Sequence, residues 1–370
     1  MAQLCVTSPC DGDFLNFHDG RLDGDRLLVT VRGQASPQRT VVVNGVAGNA
    51  DGGSFAIEVP LSAQENLLQV SCDEQRLELR VYWDRHACRR YRFSTDDNIQ
   101  FLKDLAGQPY RSLFENDYLA FWRDLWRTYG TRVQHNIYWC EPGGFDLRQM
   151  PDRYRAEFAD NAEWLHLTFH AEQDEPAMPY LAAGYEQLGR DFDKVTEQII
   201  RFAGESVLSP FTTVHWGEAT YEGCLALRDR GIQGLAGYCH VSETPTGERP
   251  PGARVSYYLS AAEARHLGAR DAWRCHRSGL WFVKHDIVCN TMPPAAVRPH
   301  LDAVYSNPHR RELMEAMVHE QYFCPFLRHH QPDVRQRVTE CVAWLAEHDY
   351  RSVFYEEGFL GSPTALALAE

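Results

Sequence analysis

The stretch Arg92-Phe-Ser-Thr-Asp-Asp-Asn98 ends a run of β-forming and aromatic residues with two adjacent carboxylates, Asp96 and Asp97. Carboxylates at the end of a strand can cap the next helix by accepting from its free N–H groups. They can also place a metal ligand beside a general base. The second use requires further ligands and an acid elsewhere in the chain. Candidates stand at the ends of later strand-like runs: His170 and Glu172, His215 and Glu218, His285 and Asp286, His319 and Glu320. His135 lies inside a strand-like run and reads as structural. Imidazole and carboxylate recurring at such points exceed what helix capping requires, and they predict a site.

Two kinds of element must position these groups. Residues 1–88 read as a small all-β sandwich domain, with strands expected over 26–33, 40–48, 54–61, 66–72 and 76–83. Phe55, Ile57 and Val59 alternate with polar residues, and so do Leu77, Leu79 and Val81, as half-buried strands require. From 89 to 370 strands and helices alternate. Helices are expected over 118–130 and around Leu188, Phe192, Val195, Ile199 and Phe202, whose spacing lines one face. Strands are expected at 131–139, 165–171, 212–216, 234–238, 280–290, 315–323 and 351–357. This order predicts an α/β fold, a distorted (β/α) barrel of seven or eight strands. In such a barrel the chemistry collects at the C-terminal ends of the strands. The Pro- and Gly-rich stretch 242–256 reads as a long surface loop.

Composition narrows the function. A net charge of −14 over 370 residues argues against a nucleic-acid partner, whose phosphates call for clustered Lys and Arg. No apolar run is long enough to span a bilayer. The start of the chain lacks a basic segment followed by an apolar one, so no signal peptide is expected. Eleven cysteines without a CxxC pair suit reduced thiols and a cytoplasmic setting. Oligomeric state leaves no mark in the sequence.

The motifs from residue 89 onward resemble those of the polysaccharide deacetylase superfamily (NodB homology, the family 4 carbohydrate esterases in the broad sense). Phe-Ser-Thr-Asp-Asp-Asn resembles the first motif, which implies Asp96 as general base and Asp97 as metal ligand. Leu-Thr-Phe-His-Ala resembles the second and implies His170 as a ligand. Glu-Ala-Met-Val-His resembles the last and implies His319 as general acid, with Asp286 of Val-Lys-His-Asp as its orienting partner. The family's second ligand histidine is replaced by Asp174, and its Arg-x-Pro motif by Thr-Thr-Val-His-Trp-Gly. His215 is therefore the preferred third ligand. Asp174 is the alternative, and Glu218 and Glu320 are further ligands or supporting groups. The N-terminal string Val43–Val70 resembles bacterial Ig-like or cadherin-like modules that accompany carbohydrate enzymes.

The resemblance implies one divalent ion, zinc first, with nickel, cobalt, manganese or iron also compatible with His and Asp donors. It implies removal of an N-acyl group, acetyl foremost, from an amino-sugar or glycoconjugate substrate. Hydrolysis of a non-sugar amide is one alternative. A non-catalytic carbohydrate-binding protein on a decayed barrel is the other.

Overall fold

A computed structural model describes residues 3–142, 144–239 and 256–357. The loop expected over 242–256 lies, apart from Ser256, outside the described residues. The described residues divide into two compact units: 3–87 with Ala272–Arg277, and 88–271 with 278–357.

In the first unit, Arg26–Gln34 pairs antiparallel with Ser54–Leu61 along its whole length, from Leu27↔Leu61 to Gln34↔Ser54. Cys5–Ser8 and Gly20–Asp23 pair with the same strand. A second sheet runs in the order Phe14–Leu15, Gln75–Trp83, Glu65–Cys72, Thr40–Val43, Val46–Asn49. Val29, Val31, Ile57 and Val59 of one sheet and Val41, Val43, Leu68, Val70 and Val81 of the other share one core, so the unit is a two-sheet sandwich. The single strand expected over 40–48 is a hairpin. Asn44 and Gly45 take φ +47° and +85°, and two positive φ values make the two-residue turn that reverses a twisted ribbon.

Within the second unit the strands are β1 (Arg90–Asn98), β2 (Val133–Tyr138), β3 (Leu165–Ala171), β4 (Phe211–Thr212), β5 (Gly234–Gly237), β6 (Leu280–Lys284), β7 (Ile287–Val288), β8 (Leu313–His319) and β9 (Arg351–Ser352). All observed pairings among them are parallel, which needs a crossover between partners. Among the described residues the crossovers include α1 (Gln100–Gly107), α2 (Asp117–Tyr129), α3 (Arg155–Asp160), α4 (Tyr185–Phe202), α5 (Tyr221–Arg228), α6 (Ala261–Leu267), α7 (Pro294–Tyr305) and α8 (Val334–Glu347). The Asn116 side chain caps α2 by accepting from Leu119 N–H, and left-handed Gly130 ends it. Leu188, Phe192, Val195, Ile199 and Phe202 are the buried face of α4, as their spacing requires.

Among the described residues the strands of this unit form two parallel sheets, where a distorted (β/α) barrel of seven or eight strands was expected. One runs β3-β2-β1-β8-β7, with β9 beside the start of β1. The other contains β4-β5-β6. The bridge Leu167↔Leu208 joins them beside β3, where Thr212 also donates to the Phe169 carbonyl. On the far side the chain changes sheet at His285–Asp286: His285 N–H donates to Gly237 of β5, and Asp286 N–H to Glu315 of β8. The run expected over 280–290 is therefore divided between β6 and β7.

Alternation puts polar side chains on one face of β1. Arg92 forms a buried pair with Glu315 at 2.7 Å, both side chains 1% exposed or less. Ser94 and Tyr355 also donate to Glu315, at 3.1 and 2.7 Å. Arg92 donates to Gln134 at 3.0 Å. A buried charge is tolerable only with such full satisfaction.

Candidate metal centre

Asp97 has φ +62°, a left-handed conformation that Asp accepts more readily than most side chains. The residue is an extra one in β1. Thr95 pairs with His135, but the next pair is Asn98 with Ile137, so two residues, Asp96 and Asp97, oppose one, Asn136. Neighbours on a regular strand face opposite ways. The bulge breaks that alternation. Asp96 accepts from the Asn136 amide at 2.5 Å, and Asp97 turns toward β3 and the segment after β4.

Three buried donor atoms meet there. Asp97 Oδ1 lies 3.1 Å from His170 Nε2 and 3.4 Å from His215 Nδ1, and the two nitrogens are 3.2 Å apart. Ligands bound at 2.0–2.2 Å lie about 3.0 Å apart around an octahedral ion and about 3.3 Å apart around a tetrahedral one. The triangle fits one ion. The remaining ring nitrogens are committed: His170 Nδ1 donates to the Thr213 carbonyl at 2.5 Å, and His215 Nε2 to the Asp174 carbonyl at 3.1 Å. Each ring is thus anchored by its outer nitrogen, as ligating histidines require, and turns the other nitrogen toward Asp97.

His215 reaches this corner from a short 3₁₀ turn, His215–Gly217, where a strand was expected. Trp216 and Gly217 both have positive φ, and two such residues in succession turn the chain out of a strand. Tyr257 fastens the turn: its N–H donates to Gly217, and its hydroxyl accepts from Val214 N–H while donating to Ala236 of β5.

Electrostatics favour the anion beside the imidazoles. Burial alone would raise the Asp97 carboxyl, but the His319 charge and hydrogen bonds from His170 and His215 hold it well below the usual carboxylate range. Burial opposes a charge on His170, yet Asp96 and Asp97 raise its pKa above the ordinary histidine value. The Tyr138 hydroxyl donates to Asp97 at 2.5 Å and lies 2.9 Å from His215 Nδ1. A cavity of about 360 Å³ reaches the cluster at Asp97 and is lined also by Tyr138, Glu141, Asp174, Gln321 and Arg328.

His319 is the register partner of Asp96 on β8. Asp286 does not hold it. The Asp286 carboxylate accepts from Arg310 at 2.5 Å and from Glu315 N–H at 3.0 Å. The His319 ring is bonded to Asn290, from the turn after β7. Asp174 stays near the site through its carbonyl, its carboxylate lying 3.8 Å from His215 and 57% exposed. Glu218 is buried just beyond the turn. The Glu320 carboxylate is engaged elsewhere, accepting the N–H groups of Ile99, Gln100 and Phe101 at the start of α1. His135 faces the rings of Phe101, Tyr118 and Trp122 and bonds to Thr95, a structural place.

Sequence reasoning missed Asn136, Tyr138 and Asn290. The first two were signalled by the polar residues at every second position of β2, Gln134, Asn136 and Tyr138. Asn290 carried no comparable local pattern.

No protein-family model and no curated protein matches this chain. Among solved structures it is similar to a CE4 esterase from Streptococcus mutans, at 9% identity and TM-score 0.36 over 72% of this chain and 85% of that one. A CE4 family pseudoenzyme from Bacillus anthracis matches at 8% and 0.34, over 74% and 66%. A maltose-forming amylase from a Pyrococcus matches at 11% and 0.40, over 71% and 47%. Likeness at this level decides nothing about activity.

Proposed function

We propose that the second unit is a metal-dependent hydrolase that removes an N-acyl group, acetyl foremost, from an amino sugar or glycoconjugate. The observation that carries this reading is the buried triangle of Asp97 Oδ1, His170 Nε2 and His215 Nδ1, with edges of 3.1–3.4 Å. These residues would hold one divalent ion, zinc first. A bound ion of this kind lowers the pKa of water to about 7 and polarises a carbonyl.

The chain's own groups supply the proton handling. Asp96, held by Asn136, takes a proton from the attacking water. His319, in register with it, delivers one to the departing nitrogen. A C–O bond forms, the C–N bond breaks, and the products are a carboxylate and an amine. A general acid–base pair of this kind contributes roughly 10²–10⁴ in rate.

One observation favours a second reading, a non-catalytic sugar-binding protein. The Tyr138 hydroxyl donates to Asp97 at 2.5 Å and so competes with an ion for that oxygen. Metal content and turnover separate the two. Purified chain should hold close to one divalent ion, lost in His170→Ala and His215→Ala, and should release acetate from N-acetylglucosamine oligomers. Wild-type chain that stays metal-free after exposure to zinc and cobalt would sink the hydrolase reading.

A further inference from the structure

We infer that Asn290 is a positioning residue that fixes the tautomer of His319; its catalytic meaning rests on the hydrolase reading above. Asn290 Oδ1 receives two contacts, from the backbone nitrogen of His319 at 3.2 Å and from its ring Nδ1 at 2.9 Å. A backbone N–H can only donate, so the Asn290 atom it meets must be the amide oxygen. An oxygen that accepts there also accepts from the ring, so Nδ1 carries the proton. In the neutral ring the lone pair is then on Nε2. Free imidazole side chains favour the opposite form, with the proton on Nε2.

The amide is itself held in place. It is 6% exposed, on the 3₁₀ turn Cys289–Thr291. Its backbone carbonyl accepts from Gln331 and from Arg337 of α8, each at 3.0 Å. Arg337 also donates to the Gln331 side chain at 2.7 Å, which joins the two donors. The turn, the start of α8 and the end of β8 thus converge on one imidazole. The expected partner, Asp286, is taken up by Arg310 and Glu315. A neutral amide does for orientation what a carboxylate was expected to do. His319 Nε2 is left to load a proton and pass it to the leaving nitrogen, while Nδ1 keeps its own throughout.

The test is the side-chain nitrogen NMR spectrum of zinc-loaded full-length protein with labelled histidine, in wild type, Asn290→Asp and Asn290→Ala. The His319 assignment comes from its loss in His319→Gln. Wild type and Asn290→Asp should show Nδ1–H, and Asn290→Ala should revert to Nε2–H at an unchanged melting temperature. Acetate release by Asn290→Ala should fall roughly tenfold or more in kcat, with KM within about threefold, and Asn290→Asp should restore part of it. A wild-type ring protonated on Nε2 would overturn the inference without a variant having to fold. So would an Nδ1–H form that persists in Asn290→Ala. A wild type inactive on every N-acyl substrate but carrying the Nδ1–H form would overturn the hydrolase reading and support the positioning.

Discussion

Asp97 answers two demands at once, a ligand atom and a left-handed backbone. Asn tolerates that backbone and Ala does not, so the demands can be separated. Asp97→Asn should lose the ion and keep the melting temperature of the metal-free wild type. Asp97→Ala should lose the ion and about 1 kcal/mol or more of stability. Metal analysis and denaturant unfolding check both. A second expectation concerns His170. Its pKa stands above the ordinary histidine value before the ion arrives, and a ligating imidazole must be neutral. Ion binding near neutral pH therefore displaces a proton, and affinity should rise with pH until His170 is neutral in the metal-free protein. Calorimetry in two buffers of different ionisation enthalpy measures the displaced proton, and a heat independent of buffer would contradict the expectation.

At the scale of elements, α1 has no side-chain cap of its own at Ile99. Glu320 serves instead, 219 to 221 residues away, with three N–H groups on its two oxygens. Glu320→Ala should cost about 2 kcal/mol in urea unfolding and leave metal stoichiometry unchanged, since buried donors stripped of an acceptor are expensive. A loss of metal in that variant would return Glu320 to the site. The same helix start shows what could be read in advance. Apolar runs and a 3.6-residue stripe revealed β3, β8 and α4, because burial of one face is a local property of sequence. The carboxylates of β1 and the imidazole of β3 were legible too, since polar groups ending apolar strands are conspicuous. The actual cap of α1 was not legible, nor was the Asn290 that replaces Asp286, because each is chosen by a partner far along the chain. The 3₁₀ turn at His215 was hidden for a different reason: β-forming residues there are overruled by left-handed Trp216.

Across the whole second unit, burial of titratable groups sets the acid limit of stability. Burial pushes His135 down to about 3, so it stays neutral in the folded chain while the unfolded chain takes up a proton below about 6.5. The unfolded state binds more protons in that window, so this contribution is intact above it and is lost as pH falls from about 6.5 toward 3. Relative to wild type, His135→Leu should flatten the pH dependence of unfolding free energy by about 1.4 kcal/mol per pH unit there. Unfolding curves at several pH values read the difference, and parallel profiles would refute it. The Arg92–Glu315 pair makes a complementary prediction. Glu315→Leu strands a buried guanidinium and should cost roughly 3–5 kcal/mol, whereas Arg92→Met with Glu315→Leu should cost far less.

The two sheets of this unit meet beside β3 through the bridge Leu167↔Leu208, with Ser209 N–H donating back to Leu167. Side-chain hydrogen bonds from Thr212 to the Phe169 carbonyl and from Gln134 to the Phe211 carbonyl also cross that seam, and the ligand triangle straddles it. Asp97 and His170 belong to one sheet, and His215 to the segment leaving the other. An ion bound there is a rivet as well as a reagent. Binding that favours the closed seam adds about 2.7 kcal/mol against opening at a hundredfold excess over Kd. Amide exchange at Ser209 should slow accordingly on loading, while exchange in the middle of β1 barely changes.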